Sequence, residues 1–377
     1  MSRARDIADL SSVSARLDTL GGAEGALSNR NVVRNGEFAV SQRGTSFTNI
    51  GSSGTYDDTW TMDRFLISQG VSAGRCSVEQ SSDTPDGFSK SLKISTTTAD
   101  TSIAAGEYHR LQTKFEGQDL QRFAKGTSGA KEFTLSFYCK ANAAATYVVE
   151  LYDNDNTRSV SKLFNVTTDW TRVTVTFPAD TTGAFDNDNN LSMELNWWMH
   201  AGSTYGGGTL QTTWGASVAA NRAAGIDSIF DSTSRTFFIT GVQFEVGDTA
   251  TDFEHRSYAD ELARCQRYYF QEDTTSANAS GRLGVANSTT SVTFDHTLPV
   301  QMRANPSVSL TSANLRIGDT VSQGFTTTSG TVTISSYSGS AGAVYNLNQF
   351  SGLTSYRTYL HEPDSTSTGI VVFNAEL

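Results

Sequence analysis

The side chains of this 377-residue chain that could move protons or hold metals are five histidines and 39 acidic residues. His109, His200, His255, His296 and His361 are scattered with no ligand spacing among them, so each is expected as a surface or hydrogen-bonded residue. The chain has no HExxH helix, no Walker loop, no GxSxG elbow and no GxGxxG following a strand. A carboxylate pair for glycoside hydrolysis is defined by a separation in space, which sequence does not give. No catalytic residue is named, and the chain is expected not to be an enzyme.

Two acidic loops, Asp153-Asn154-Asp155-Asn156 and Asp186-Asn187-Asp188-Asn189-Asn190, offer oxygen ligands of the kind calcium prefers. Asp153, Asp155, Asp186 and Asp188 are the candidate ligands, and calcium is the one cofactor entertained. Both loops fail the EF-hand template: Arg158 and Leu191 stand where glycine is needed, and Phe164 and Trp197 where glutamate is needed. Tight turns use the same residues for backbone reasons, and the turn reading is favoured. The richest aromatic cluster is Trp197-Trp198 with Tyr205 and Trp214, joined through Gly206-Gly207-Gly208. Aromatic faces on a sheet can stack on sugar rings, making Trp198, Tyr205 and Trp214 candidate glycan contacts. Neighbouring strand residues face opposite ways, so one tryptophan of the pair is expected inside, and core packing is the favoured reading for most of the cluster.

What must position these residues is a β-sheet scaffold. With 21 Phe, 13 Tyr and 5 Trp, abundant Ser and Thr, and only 5 Pro, the composition fits pleated, half-buried surfaces. Clean alternation marks strands at 133–139, 147–152, 172–177, 191–197 and 237–246, separated by turn-rich pieces and lacking any βαβ rhythm. The expectation is all-β: an antiparallel jelly-roll sandwich over 29–250, with further strands at 291–294, 307–310, 331–334, 344–347 and 370–373 forming a smaller β-domain over 271–377. Between them, over 251–270, a connecting helix is predicted at 257–269. Ser257 and Asp260 stand at capping-box spacing there, and Tyr258, Leu262, Cys265 and Tyr269 share a face. At the start, within 1–28, Ile7, Leu10, Val13, Leu17 and Leu20 make a narrow apolar stripe on a short helix with no core of its own. Those five residues are expected to dock, either in a three-copy coiled coil or on a partner.

Charge and cysteine content limit the setting. The net charge of −11 provides no basic footprint for nucleic acid. Cys76, Cys139 and Cys265 are odd in number and widely spaced, which suits buried thiols better than a disulfide framework or a zinc site. Residues 1–20 contain no continuous apolar run, so neither a signal peptide nor membrane insertion is expected.

Two stretches resemble a known family. Asn35-Gly36-Glu37-Phe38, Ser41-Gln42-Arg43-Gly44-Thr45-Ser46, Trp60 and Asp63-Arg64-Phe65 resemble the opening of a domain recurrent in tailed-bacteriophage virion proteins, especially tail fibres of marine phages. The runs Gly241-Val242-Gln243-Phe244-Glu245-Val246-Gly247, Phe253-Glu254-His255-Arg256-Ser257-Tyr258 and 261–269 are similar to its close. Phe65 stands where tryptophan is usual, and Phe244 where leucine is usual. The resemblance implies a carbohydrate-binding-module-like jelly roll in a virion appendage assembled in the host cytoplasm, commonly as a homotrimer. Its partners would be other virion proteins (a tail adaptor or nozzle, or the capsid) and host surface polysaccharide. A tail fibre is the leading expectation and a capsid decoration protein the alternative. A polysaccharide depolymerase would call for a repetitive β-helix, and the sequence shows no fixed-period repeat.

Overall fold

The computed structural model describes residues 29–51, 56–273, 282–310, 315–319, 325–327, 332–334, 338–348, 350–362 and 370–377. The docking-helix residues Ile7, Leu10, Val13, Leu17 and Leu20 lie outside them. The described chain divides into two compact units, one running to Tyr258 and including Leu377, the other Ala259–Glu376. No helix among the described residues is long and apolar enough to cross a membrane.

In the first unit the strands are β1 (Ser46–Ile50), β2 (Asp57–Trp60), β3 (Leu66–Gly70), β4 (Arg75–Ser81), β5 (Ser91–Thr98), β6 (Tyr108–Glu116) and β7 (Phe133–Ala141). There follow β8 (Ala145–Asp153), β9 (Arg158–Val166), β10 (Thr171–Phe177), β11 (Leu191–Ala201), β12 (Gly215–Ala216) and β13 (Thr236–Val246). They form two antiparallel sheets, β1-β4-β5-β13-β7-β10 and β12-β9-β8-β11-β6-β3-β2. The fold is thus an all-β antiparallel sandwich of the jelly-roll kind. Alternation decides what lies between the sheets: Met193, Leu195 and Trp197 of β11 and Leu135 and Phe137 of β7 join one buried apolar cluster. Strands β4, β5 and β9 were not among those expected, because Ser, Thr and Lys dilute their apolar positions.

The helix Tyr258–Gln266, close to the predicted one, begins at the last residue of the first unit and runs into the second. The strands of the second unit are β14 (Tyr269–Asp273), β15 (Leu283–Ala286), β16 (Val292–Thr297), β17 (Ser307–Leu310), β18 (Leu315–Gly318), β19 (Phe325–Thr327), β20 (Val332–Ile334), β21 (Gly342–Leu347), β22 (Thr358–Glu362) and β23 (Ile370–Asn374). They build a sheet β14-β23-β17 and a sheet β19-β18-β22-β15-β16-β21-β20, with a core including Phe294, Met302, Tyr345, Leu347 and Phe373.

Several residues that carry the family resemblance meet in space, some of them joined through Asn31, which lies just before the first of them. The Asn31 side chain donates to Val242 O (3.0 Å) and accepts from the amides of Val33 (2.9 Å) and Phe244 (3.0 Å). Glu254 accepts from the Asn31 amide at 3.0 Å, and Gln243 accepts from the Glu254 amide at 2.8 Å. Asp63 takes the Gln42 amide and side chain, both at 2.6 Å. A Cβ at Gly36 would lie 2.1 Å from Val242 O, so only glycine allows this approach. These residues tie the beginning of the sandwich to its end. Their work is satisfying buried backbone and side-chain polar groups rather than presenting a surface.

Candidate functional site

The outward face of the seven-stranded sheet follows from register. On β11, Glu194, Asn196 and Trp198 point away from the core; they stand opposite Lys114, Gln112 and Arg110 of β6, and opposite Tyr152, Glu150 and Val148 of β8. Ser68 continues this face from Arg110 onto β3, and Asp58 continues it onto β2.

Half of the face is sealed. The segment 201–227 folds over it, with Ala223 N donating to Tyr205 O at 2.9 Å and Ser161 Oγ to Arg222 O at 2.9 Å. Beneath it Glu150, fully buried, accepts two hydrogen bonds from Arg222 (2.6 and 2.9 Å), one from Trp198 Nε1 (2.7 Å) and one from Asn196 (3.2 Å). Gln112 donates to Asn196 at 2.7 Å. A buried carboxylate is tolerated because its charge is paired and its lone pairs are taken.

The other half is open. Tyr56 and Asp58 are exposed, and Arg110, Glu194 and Tyr205 are half-buried. The Arg110 guanidinium lies 5.4 Å from the Tyr108 ring centre and 5.1 Å from that of Trp198. Tyr205 meets Tyr108 edge-on at 5.3 Å, and Tyr56 lies 6.1 Å from Tyr108. Arg110 Nη1 reaches Glu194 only at 3.7 Å, and Arg110 Nε has no hydrogen-bond partner. Arginine carries five donors in a rigid fork; this one lies over two adjoining rings, its Nε buried and its remaining side chain half-exposed. Burial raises the Tyr205 hydroxyl above its ordinary pKa, so it stays a neutral donor and acceptor.

The glycan candidates named from sequence therefore separate. Trp198 and Tyr205 come together at 5.4 Å, but Trp198 is buried with its N–H given to Glu150, and Tyr205 alone keeps exposed ring. Trp214 sits elsewhere, half-buried against the core with Nε1 donating to Pro178 O at 2.9 Å. Trp197 is core. Arg110, Tyr56 and Tyr108 were missed, since they meet only through strand pairing.

The calcium candidates also separate. Asp153 is buried and accepts from Lys125 Nζ at 2.6 Å. The same ammonium donates to Thr182 O (3.0 Å) and Gly183 O (2.6 Å), lies 3.2 Å from Asp180, and sits about 5 Å over the rings of Phe185 and Trp214. A lysine thus occupies this oxygen cage. Asp155 is exposed and accepts from the Asp186 amide at 2.9 Å, linking the two acidic loops, and Asp188 accepts from the Asn190 amide at 2.9 Å, as a turn residue does. Asp186 is exposed. Burial pushes the thiols of Cys76 and Cys139 up to about 12, so both behave as small hydrophobes.

No family model and no curated protein matches the chain. Among solved structures it is similar to one described as "CBM4 structure and function", at 14% identity and TM-score 0.31, covering 57% of this chain and 99% of that one. It is also similar to the enzymatically active domain of bacteriophage CBA120 tailspike protein 4, at 15% identity and TM-score 0.29, covering 57% of this chain and 21% of that one. A third is a family 11 carbohydrate-binding module from Clostridium thermocellum in complex with a β-1,3-1,4-mixed-linked tetrasaccharide, at 11% identity and TM-score 0.27, covering 58% and 99%. At these scores no residue of theirs is mapped onto this chain.

Proposed function

We propose that the chain is a non-enzymatic virion protein that binds a surface glycan through the open half of the seven-stranded sheet. The observation that carries the binding reading is Arg110: a half-buried guanidinium lying over two adjacent aromatic rings, reaching its carboxylate only at 3.7 Å, beside an exposed tyrosine. Sugars match such a surface, because their C–H faces stack on rings while their hydroxyls take charge-assisted hydrogen bonds. The virion setting rests on the resemblance of 35–65 and 241–269 to tailed-phage appendage domains. Within that setting a trimeric tail fibre is the leading reading and a capsid decoration protein the second.

Binding is tested by affinity electrophoresis of the full chain in host-type polysaccharides, with reducing-sugar release measured in parallel. Arg110→Met should weaken binding about 10- to 100-fold, the value of a charged hydrogen bond, and Tyr56→Ala should weaken it less. Retardation unchanged in Arg110→Met would move the site off this face, and sustained sugar release would overturn the non-enzymatic reading. Immunogold labelling of particles with antibody to residues 271–377 separates tail from head.

A further inference from the structure

At one end of the sandwich, β11 carries a bulge: Trp198 pairs with Arg110 and His200 with His109, leaving Met199 as the extra residue. A bulge re-aims the side chains after it. Without it His200 would follow Trp198 to the outer face; with it, His200 shares the inner face with His109, and both rings pack on Phe230, at 5.2 and 4.9 Å. Glu107, just before β6, and Asp100, in the loop after β5, close on the same place. One ligand atom from each of Asp100, Glu107 and His200 lies within 4.8 Å of the others, and all three residues are buried.

We propose that Asp100, Glu107 and His200 form a binding site for a divalent first-row metal ion, with zinc as the ion its nitrogen and two oxygens suit best. Donors on a tetrahedral zinc sit about 2.0–2.1 Å from the metal, hence roughly 3.3 Å from one another; His200 Nε2 and Glu107 Oε2 are 3.4 Å apart. The far side of the imidazole is already arranged: His200 Nδ1 lies 2.7 Å from Ser228 Oγ, which can accept its proton and leave the Nε2 lone pair for metal. Asp100 is held by Ser72 Oγ and the Ala73 amide, both at 2.9 Å, and the Ser102 amide at 3.2 Å.

His109, whose ring packs on the same Phe230, lies outside the three-ligand cluster but has an unused acceptor of its own. Gln69 Nε2 donates to Gly74 O at 2.7 Å, which turns Gln69 Oε1 toward His109 Nδ1 at 2.9 Å. His109 therefore carries its proton on Nδ1, and its buried Nε2 keeps a lone pair with no partner. The close approach of the carboxyls leaves no gap for a glycosidic bond, which requires about 5 Å or more.

The test is equilibrium dialysis and thermal melting of chelator-stripped full-length protein with zinc chloride. One zinc per chain should be retained, and Tm should rise by roughly 5 °C or more at a hundredfold excess over Kd. The double variant Asp100→Asn, Glu107→Gln should lose at least tenfold in zinc affinity. Cobalt(II) added to the unaltered protein gives a readout independent of variant folding: intense visible bands of a low-coordinate site are expected. The pale spectrum of the hydrated ion, no zinc retained, or equal retention by the double variant would each overturn the proposal.

Discussion

Two of the carboxylate groups that the sandwich buries are neutralised differently. Around Asp153 and Asp180 the cation is built in: Lys125, with no exposed side-chain surface, bridges both acids and two backbone carbonyls. Around Asp100 and Glu107 the neighbouring bases are imidazoles that burial keeps uncharged. The first group is complete as folded; the second has room in its charge balance for an ion. A buried acidic cluster thus reads as a metal site only after the covalently attached cations have been placed.

The sharpest way to break this contrast is to remove the internal cation. Lys125→Met keeps the length of the side chain but leaves the buried Asp153 without its cation, while Asp180 keeps Arg158, and should cost about 3–5 kcal/mol of stability in urea titration. A loss below about 1 kcal/mol would mean that solvent already serves these carboxylates. No comparable loss is expected from Glu107→Gln, which removes a carboxyl that burial raises and keeps its shape: stability near pH 8 should hold or rise. A marked fall would show that Glu107 is ionised and paired in the folded chain.

Acid should separate the two groups next. His109 and His200 are held at about 3 and about 4 against an ordinary 6.5, so between those values the unfolded chain binds more protons than the folded one. Stability from these imidazoles is therefore complete above pH 6.5 and lost as pH falls toward 4, on the order of 2–3 kcal/mol each. Glu107 acts in the opposite sense above the ordinary carboxylate range and blunts this slope, so Glu107→Gln should steepen it. Asp180 is different: burial pushes its carboxyl up, but hydrogen bonds from Arg158 and the Thr182 amide, with Lys125 nearby, outweigh this and hold it below its ordinary value. Its contribution persists until pH drops below about 3.8. A first unit equally stable at pH 7 and pH 4.5 would contradict the neutral-imidazole reading.

How much of this was legible in the sequence depended on whether the information was local. Alternation in Thr134–Phe137 and in Met193–Trp197 gave strands and inward faces, because one residue decides the side of the next. The division of Trp197 from Trp198 followed from the same rule. The lysine that fills the Asp153 cage is 28 residues away, and nothing in the acidic loop announces it. His200 was hidden for a different reason: a one-residue bulge reverses the face that alternation assigns to it. Arg110 and Tyr56 belong to separate segments, and each approaches the Tyr108 ring only once the sheet has formed.

The smallest expected effect is the most discriminating for the acidic loops. Asp188 accepts from the Asn190 amide two residues on, the bond that defines a local Asx turn, and asparagine can accept it equally well through its side-chain oxygen. If Asp188 is a turn residue, Asp188→Asn should change stability by less than about 0.5 kcal/mol, with or without millimolar calcium. If it is a cation ligand, calcium should stabilise the unaltered protein, and the variant should lose that gain, because calcium prefers carboxylate charge over a neutral amide. The comparison costs one variant and two melting curves. A calcium-dependent difference would place a third kind of anionic site beside the two buried ones, on the exposed turns that Asp155 and Asp186 share.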